Sequence, residues 1–261
     1  MQSFSLKCFG VGDGAACGDR NHSSYLYDLG EVCLLLDCGE PVSRSFKAAG
    51  LSYDKIDHLF ISHLHSDHFA GLFMLLQGTW LERRRKDLIV HLPADGIEPV
   101  RQMLKAAFLF DELLPFRLIL EPLRAAQPVR HGPVRVTAYP TSHLDGLRKS
   151  FQSKYPGDYA AYCFLIETGE FRIGHSADLG SPQDLEPLLT EPLDLLVCEL
   201  AHFKPEHLFD YLKGRKIKRI AFVHLGRSYW EGLEEVRRLA AKVLPDVKSS
   251  FPLDQDVITL S

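Results

Sequence analysis

The sequence predicts an α/β fold in which short apolar strands alternate with helices in two similar halves. One observation behind this prediction is that apolar runs of strand length recur along the chain, several of them followed by helical apolar periodicity. Another is that ligand-type side chains recur where expected strands end, as at His63, His143 and His224. Because no linker rich in Pro, Gly or Ser divides the 261 residues, we expect a single domain over residues 1–261.

The expected strands are short apolar runs bounded by turn residues. In order, they are 5–11, 25–29, 32–36, 56–62, 88–92, 116–120, 134–139, 159–167, 170–173, 194–198, 217–223 and 257–260. Helical spacing of apolar residues predicts helices at 41–49, 69–77, 97–109 and 229–243. The second and third strands are expected to form a hairpin that turns at Gly30-Glu31, and Gly50 supplies the stop of the first helix.

Composition excludes several classes of protein. Hydrophobic residues make up 46% of the chain, and the formal net charge of −4 gives no overall basic field for recruiting nucleic acid. The basic clusters at 83–86 and 213–219 could still bind nucleic acid locally, but such clusters are more often solvated faces, so nucleic acid is a possible partner that is not favoured. The six cysteines form no C-x-x-C pair, and neither a secretory signal nor a bilayer-spanning stretch is visible. We therefore expect a cytoplasmic protein that has no membrane partner.

The strongest motif is Leu-Phe-Ile-Ser-His-Leu-His-Ser-Asp-His-Phe-Ala-Gly at residues 59–71. An apolar run typical of a buried strand is followed by four ligand-type side chains, His63, His65, Asp67 and His68. Residues two apart in an extended segment point the same way, so His63 and His65 could hold one metal ion. Asp67 and His68, at a helix start, would turn toward a second ion. The alternative is a polar loop with an Asp N-cap and solvated imidazoles.

These residues match the His-x-His-x-Asp-His signature, and the chain resembles the metallo-β-lactamase superfamily. Within it the resemblance is to the tRNase Z-like and phosphodiesterase branch, because Leu-Leu-Asp-Cys-Gly-Glu at 35–40 is also similar to that branch. The resemblance implies an αββα sandwich: two mixed β-sheets face to face, helices outside, and a metal site at one edge. It also implies that Asp37 supports the metal loop without binding metal, although read alone Asp37 would be a turn residue.

The resemblance implies three further metal ligands. His143 corresponds to the family's third motif and His224 to its last ligand. Asp178 is interpreted as the bridging ligand, since one carboxylate offers two oxygens. Where the family shows Ser-Gly-Asp-Thr, this chain has Ala177 and Leu179 around Asp178, which puts the hydrogen bonds of the family's threonine in doubt. The expected sets are His63, His65 and His143 on one ion, Asp67, His68 and His224 on the other, and Asp178 on both.

This ligand set contains nitrogen and oxygen but no thiolate, which suits zinc and also permits manganese or iron. Two such divalent ions would hold a bridging hydroxide, which is hydrolytic chemistry. His202 is the candidate for protonating the leaving group, with Glu199 to orient it; the alternative is a surface or core histidine. The resemblance suggests that Asp67 also accepts a proton from the attacking water. The remaining histidines are interpreted as structural or surface residues: His22, His58, His91, His131, His175 and His207.

The segment after His143, residues 144–158, is expected to form a polar loop. It carries Arg148, Lys149 and Lys154, placed to overhang the site and to attract an anionic substrate. It is too short to be the long arm, rich in Gly and Pro, with which tRNase Z proteins grip tRNA. Since this chain lacks such an arm, a small substrate is favoured over tRNA.

The leading prediction is a dinuclear metal-dependent hydrolase, most of all a phosphodiesterase acting on an anionic small molecule or nucleotide. A tRNA 3′-processing endonuclease is the first alternative, and a lactone, thioester or β-lactam hydrolase is the second. A diiron redox protein is disfavoured by His65, where that branch carries glutamate, and a non-catalytic binding protein is disfavoured by the complete ligand set. The chain could also form a homodimer, which its sequence leaves open.

Overall fold

The computed structural model describes residues 4–260, which fold into two compact units. The first unit contains the residues up to Leu123 and those from Leu253 onward, and the second is Arg124–Pro252. The single domain expected over residues 1–261 stays a prediction. None of the helices between residues 4 and 260 combines the length and the apolar character needed to cross a membrane.

The secondary-structure elements alternate along both units. The strands are Phe4–Gly10 (β1), Ser24–Asp28 (β2), Cys33–Leu36 (β3), His58–Phe60 (β4), Leu88–Leu92 (β5), Leu118–Pro122 (β6), Pro128–His131 (β7), Val134–Pro140 (β8), Tyr162–Glu167 (β9), Arg172–His175 (β10), Leu195–Leu200 (β11), Arg219–Leu225 (β12), Lys248–Ser250 (β13) and Val257–Leu260 (β14). The helices are Val42–Ala48 (α1), Ser66–Phe69 (α2), Leu72–Leu81 (α3), Ile97–Ala106 (α4), Asp145–Phe151 (α5), Pro205–Leu212 (α6), Arg227–Glu231 (α7) and Leu233–Val243 (α8). Short 3-10 helices lie at Tyr53–Lys55, Ala94–Gly96, Asp111–Leu113 and Pro182–Leu185.

The first unit contains a mixed seven-stranded sheet in the order β14-β1-β2-β3-β4-β5-β6. Strands β14 to β3 pair antiparallel, and β3 to β6 pair parallel. Phe46 of α1, Leu75 of α3 and Val100 of α4 belong to the same buried apolar cluster as Leu59 and Val90 of the sheet. Because parallel strands end at the same edge, the residues that follow β3 and β4 are neighbours there.

The second unit contains a mixed seven-stranded sheet in the order β13-β12-β11-β10-β9-β8-β7. Its core joins Cys198 and Phe222 of the strands to Phe209 of α6 and Val236 of α8. Strands β8 and β10 are both antiparallel to β9, and β10, β11 and β12 are parallel to one another. Four strands, β8, β10, β11 and β12, therefore end at the same edge of this sheet. The two mixed sheets, each flanked by helices of its own unit, confirm the predicted α/β class.

One expected loop is wrong, because α5 occupies the first half of residues 144–158. Asp145 lies in the first turn of α5, and its carboxylate pairs with the guanidinium of Arg148 at 3.0 Å. Such a pair three residues apart stabilises a helix, as does an acidic residue near the helix N-terminus. The charged residues that suggested a loop are therefore those of an exposed helix.

Other differences concern helix breaks and exposed strands. The helix expected at 229–243 is divided at Gly232 into α7 and α8, since glycine is a poor helix former. The edge strands β7 and β13 are largely exposed and lack apolar alternation, so no sequence pattern predicts them. Helix α6 was not predicted, although Pro205 at its start is a favourable first helical residue.

A buried histidine pair predicts that stability depends on pH. Nδ1 of His58 lies 2.9 Å from Nε2 of His91, and both side chains are buried. Burial, and then the neighbouring His58, lower the pKa of His91 from 6.5 to about 3; the carboxylate of Glu121, 3.5 Å away, is half exposed and screened by solvent. Between these values the unfolded chain binds more protons than the folded one. The free energy of unfolding should therefore fall as the pH decreases from 6.5 toward 3, by about 1.4 kcal/mol per pH unit from this group.

Denaturant titrations at several pH values between 7 and 4 would measure this slope. His91→Gln keeps a hydrogen-bonding side chain that does not titrate, so its profile should be shallower than that of the natural sequence. Parallel profiles would show that His91 does not carry the effect.

Candidate functional site

In the first unit, ligand-type side chains gather just after β4. The ring of His63 lies 4.7 Å from that of His65 and 4.2 Å from that of His68, measured between centroids. Nε2 of His68 is 3.3 Å from Oδ2 of Asp67. Helix α2 begins at Ser66, so Asp67 and His68 lie in its first turn. Imidazole nitrogens and a carboxylate are thus collected within one short segment.

Asp37, the residue directly after β3, organises this segment. Its Oδ1 accepts a hydrogen bond from the backbone N–H of Ser62 at 2.7 Å, and its Oδ2 accepts one from the Ser62 hydroxyl at 2.9 Å. Oδ2 also lies 2.6 Å from Nδ1 of His68, and both side chains are buried. A carboxylate at Nδ1 holds the proton on that nitrogen, which directs the lone pair of Nε2 toward Asp67.

The glycine-rich loop after β1 passes against Asp67. A Cβ placed on Gly14 would lie 3.3 Å from Oδ2 of Asp67, so this approach leaves little room for a side chain. Both ends of the loop are fastened by the carboxylate of Asp254, which accepts from the backbone N–H of Val11 at 3.1 Å and of Asn21 at 2.6 Å. The loop is therefore held beside a residue of the candidate site.

In the second unit, three histidines face one buried carboxylate. Nε2 of His224 lies 3.4 Å from Oδ1 of Asp178, and Nε2 of His143 lies 3.6 Å from Oδ2. Nε2 of His202 is 3.9 Å from the same Oδ2. These residues lie at or just after the ends of β8, β10, β11 and β12, which share one edge of the sheet. The sequence could predict the strand ends, and the parallel pairing brings their side chains together.

Glu199 has a larger role than orienting His202. Its carboxylate accepts hydrogen bonds from Nδ1 of His202 at 2.8 Å and from the backbone N–H of Leu179 at 2.8 Å. It also accepts from the backbone N–H groups of Ala201 and His202. The bond to Leu179 fixes the chain next to Asp178, at the position where the family has a threonine. The chain beside Asp178 is therefore held through the backbone of Leu179, by a bond that does not need a side-chain hydroxyl at this position.

Backbone conformations that L-residues rarely adopt recur in both units near these side chains. The φ angles of Asp37, Ala177 and His224 are 57°, 45° and 49°. Such conformations cost about 1–2 kcal/mol per residue and concentrate at functional sites. Ala177 stands where the family has glycine, so this chain accepts strain at a position that glycine would relieve.

Two supporting residues were missed by the sequence analysis. The hydroxyl of Thr141 donates to the backbone oxygen of Asp178 at 2.9 Å. Oδ2 of Asp184 accepts from the backbone N–H groups of Ser142 and Gly180, each at 2.9 Å, and of Ser181 at 3.1 Å. The only signal for Asp184 was the capping box that begins at Ser181, which stabilises a helix start but does not reveal the contact with residue 142.

The donor spacing in each unit fits metal coordination. Zinc binds nitrogen and carboxylate oxygen at about 2.0–2.2 Å, so neighbouring ligands around a tetrahedral ion lie about 3.3–3.6 Å apart. The distances from Asp67 to His68, from Asp178 to His224 and from Asp178 to His143 are 3.3, 3.4 and 3.6 Å. His202 lies farther away, with its Nε2 at 3.9 Å from Asp178 and its Nδ1 bonded to Glu199. The candidate ligands therefore have the spacing that a divalent ion needs, whereas His202 lies beside them and is not itself a candidate ligand.

The sequence matches a known family and several curated relatives. Residues 4–205 match the family model described as Anti-Pycsar protein Apyc1. Ribonuclease Z of Archaeoglobus fulgidus is 30% identical over 141 residues, which cover 54% of this chain and 45% of that protein. The chain thus spans about half the length of the curated relatives that it matches.

Solved structures with a similar fold match nearly the whole chain. The metallo-β-lactamase fold protein YhfI from Bacillus subtilis has a TM-score of 0.78 at 19% identity, covering 98% of this chain and 99% of that chain. Human tRNase Z, short form, has a TM-score of 0.76 at 17% identity, with the same coverage of 98% and 99%. Together with the Ribonuclease Z relatives, these structures confirm the predicted resemblance to the tRNase Z-like branch of the metallo-β-lactamase superfamily.

Proposed function

This chain belongs to the family described as Anti-Pycsar protein Apyc1, and from that premise we propose that it is a metal-dependent hydrolase that cleaves a phosphodiester bond of a small nucleotide. The observation that carries the proposal is the arrangement around Asp178, whose two oxygens lie 3.4 Å from His224 and 3.6 Å from His143. A buried carboxylate with imidazole nitrogens at this spacing suits a divalent ion.

The proposed centre takes two ions, zinc by default, with manganese or iron permitted by the same donors. Its ligands are His63, His65, Asp67, His68, His143, Asp178 and His224. The assignment of these ligands to one centre rests on the His-x-His-x-Asp-His signature and on the resemblance to the metallo-β-lactamase superfamily. When bound, the ions would supply an activated water and a positive field at the phosphoryl oxygens.

Proton transfer is assigned to residues of this chain. Asp67 accepts the proton of the attacking water, and His202 donates a proton to the leaving oxygen. The Nδ1 of His202 is held by Glu199, so Nε2 is the nitrogen that faces Asp178. The side chain of His202 is 36% exposed, compared with 4% for His224, so a leaving group and solvent can both reach it.

Transfer RNA 3′ processing is the runner-up, supported by the relatives named Ribonuclease Z. It is disfavoured because residues 144–158, the longest candidate for a tRNA-gripping arm, form only the short helix α5 and its continuation. Hydrolysis of a lactone, thioester or β-lactam, as well as a diiron redox function, stay alternatives from the same fold. The cytoplasmic location and the homodimer stay predictions.

A substrate panel with metal analysis would separate these candidates. Purified protein, repleted with zinc or manganese, is given bis(p-nitrophenyl) phosphate, nucleotide phosphodiesters, a precursor tRNA, a lactone and a β-lactam. Turnover of the small phosphodiesters with about two equivalents of metal supports the proposal. Cleavage of the precursor tRNA alone would favour tRNA 3′ processing over the leading proposal. Binding of less than one equivalent of metal would contradict a dinuclear centre.

The family name supplies a second candidate function, which is action against Pycsar. The two candidates agree when the phosphodiester that the chain cleaves is one on which Pycsar depends. Expressing this chain together with Pycsar should abolish the Pycsar response, and the Asp178→Ala variant should leave the response intact. Equal suppression by both proteins would separate the action on Pycsar from hydrolysis.

Asp184→Asn should weaken metal binding without touching a ligand. The carboxylate accepts backbone hydrogen bonds on both sides of the site, beside His143 and beyond Asp178, and the amide of asparagine replaces one acceptor oxygen by a donor. We expect a loss of about 10- to 100-fold in zinc affinity, as for supporting residues of metal sites generally. Competition with a chromophoric chelator would measure it.

Asp194→Asn is the matched control for this variant. Asp194 also accepts a backbone hydrogen bond, from Arg172 at 2.9 Å, and pairs with Lys218 at 2.6 Å, but it contacts no candidate ligand. Its substitution should leave zinc affinity unchanged. A similar loss of affinity in both variants would mean that Asp184 acts only through general stability.

A further inference from the structure

Exposed apolar side chains of the second unit are concentrated on one segment. Of the residues that the structure describes between 124 and 252, the large hydrophobic side chains that are exposed are Leu147, Phe151 and Tyr155, at 42%, 47% and 57%. Exposed apolar surface gathered in one place commonly marks a binding site. The rest of this unit buries its large apolar residues, so the concentration is not a general feature of its surface.

These three residues continue from a candidate metal ligand. They follow one another at intervals of four: Leu147 and Phe151 lie on one face of α5, and Tyr155 lies in the turn that continues it. His143 lies four residues before Leu147. The helical hydrogen bonds run past both ends of α5, since Arg148 N donates to Leu144 O at 2.9 Å and Tyr155 N donates to Phe151 O at 2.8 Å. The face therefore leads outward from the part of the chain that carries His143.

The same segment carries three cations and two carboxylates, Asp145 and Asp158, and therefore a small positive charge. The guanidinium of Arg148 is held by Asp145 at 3.0 Å, and Nζ of Lys154 lies 5.2 Å from the centre of the Tyr155 ring. Lys149 adds a third cation. A purely apolar partner would gain nothing from three cations, whereas a nucleotide carries both a flat apolar ring and negative phosphate.

The histidine cluster is joined to this segment through His143, which lies two residues before α5 begins. The ring centroids of His143 and His202 are 4.7 Å apart, and the side chain of His202 is 36% exposed. A phosphate next to these two imidazoles would have α5 beside it, since α5 begins two residues after His143. Leu147 and Phe151 follow His143 by four and eight residues within the second unit, so they are the apolar side chains that the chain places nearest in sequence to such a phosphate.

We propose that the face formed by Leu147, Phe151 and Tyr155 binds the nucleobase of the substrate, an inference that rests on the proposed phosphodiesterase function. The rings of Phe151 and Tyr155 stack on the base, and Leu147 packs against its edge. Arg148, Lys149 and Lys154 attract the phosphate. Stacking of this kind tolerates different bases, so the face selects nucleotides over base-free phosphodiesters more than it selects one base.

Two substrates with the same leaving group test the proposal. Thymidine 5′-(p-nitrophenyl phosphate) carries a base, whereas methyl p-nitrophenyl phosphate does not. Phe151→Ala should raise the KM for the thymidine ester by about 5- to 150-fold, the range expected for one base–aromatic stack, with little change in kcat. The same variant should hydrolyse the methyl ester like the natural sequence, and Phe151→Tyr should restore the KM for the thymidine ester.

Met103→Ala is the control, because Met103 is an exposed apolar residue on α4 of the other unit. It should leave both substrates unaffected. Substituting both Lys149 and Lys154 by Gln should raise the KM for both esters alike, since both esters carry the phosphate. An equal effect of Phe151→Ala on the two esters, or no effect on either, would overturn the nucleobase assignment.

Failure of the proposed function is distinguishable from failure of this inference. If the natural sequence turns over neither ester, equilibrium titration with thymidine 5′-monophosphate still tests the face, and Phe151→Ala should weaken that binding. Unchanged binding would overturn the inference. A change of molecular mass with protein concentration, lost in Phe151→Ala, would likewise overturn it by showing that a second copy of the chain covers this face.

Discussion

Replacing Asp178 by Ala should remove both metal ions, whereas His224→Ala should chiefly weaken one of them. The reason is that the two oxygens of Asp178 face different imidazoles, Oδ1 toward His224 at 3.4 Å and Oδ2 toward His143 at 3.6 Å. A carboxylate with its oxygens divided in this way can serve two ions, which one imidazole nitrogen cannot. Elemental analysis after metal repletion should give about two equivalents for the natural sequence and almost none for Asp178→Ala.

For His224→Ala, the first equivalent of metal should bind nearly as before. The second should lose more than about 100-fold in affinity, the upper range for removing merely a supporting residue. Far-ultraviolet circular dichroism of both variants would establish that the strands are retained. Small and equal losses of metal in the two variants would contradict the assignment of Asp178 to both ions.

The candidate ligands are easier to recognise in the sequence than the residues that support them. The motif from His63 to His68 is local, so its ligand-type spacing can be read directly from the chain. His143, Asp178 and His224 are far apart in sequence, and what the chain shows is only that each follows an apolar run. The parallel arrangement of β8, β10, β11 and β12 turns that recurrence into proximity within the second unit.

The supporting residues cannot be recognised from the sequence, because their hydrogen-bond partners are far away in the chain and leave no local pattern. Asp184 bonds to Ser142, which lies 42 residues away. Glu199 bonds to Leu179, 20 residues away, although its position before His202 suggested only an orienting role. A carboxylate that accepts backbone hydrogen bonds looks like any turn or strand residue until the fold brings its donors near.

The failure at residues 144–158 has a different cause. The charged residues of this segment favour a loop, whereas the spacing of Leu147 and Phe151 and the position of Asp145 at a favourable helix start favour a helix. An exposed helix carries many charged residues, so its sequence is easily mistaken for that of a loop. The apolar residues that remain exposed are those to which we assign a binding role.

His202→Ala should lower kcat for an alkyl phosphodiester by about 10²- to 10⁴-fold, with metal content unchanged. Its Nδ1 is bonded to Glu199 at 2.8 Å, and its Nε2 lies 3.9 Å from Asp178, outside the spacing of the candidate ligands. An imidazole so placed can deliver a proton near neutral pH. Because an alkoxide is a poor leaving group, it depends on that proton.

The penalty should shrink when the leaving group needs no proton. Nitrophenolate departs with little help from an acid, so the His202→Ala variant should retain far more activity on a nitrophenyl ester than on an alkyl ester of similar size. Glu199 is not a clean substitute for this test, since it also holds the backbone of Leu179. Equal losses on both esters would make His202 a substrate-binding residue, and no loss on either would leave it without a part in the reaction. Only a loss that depends on the leaving group identifies the proton donor, because binding and folding defects act on both esters alike.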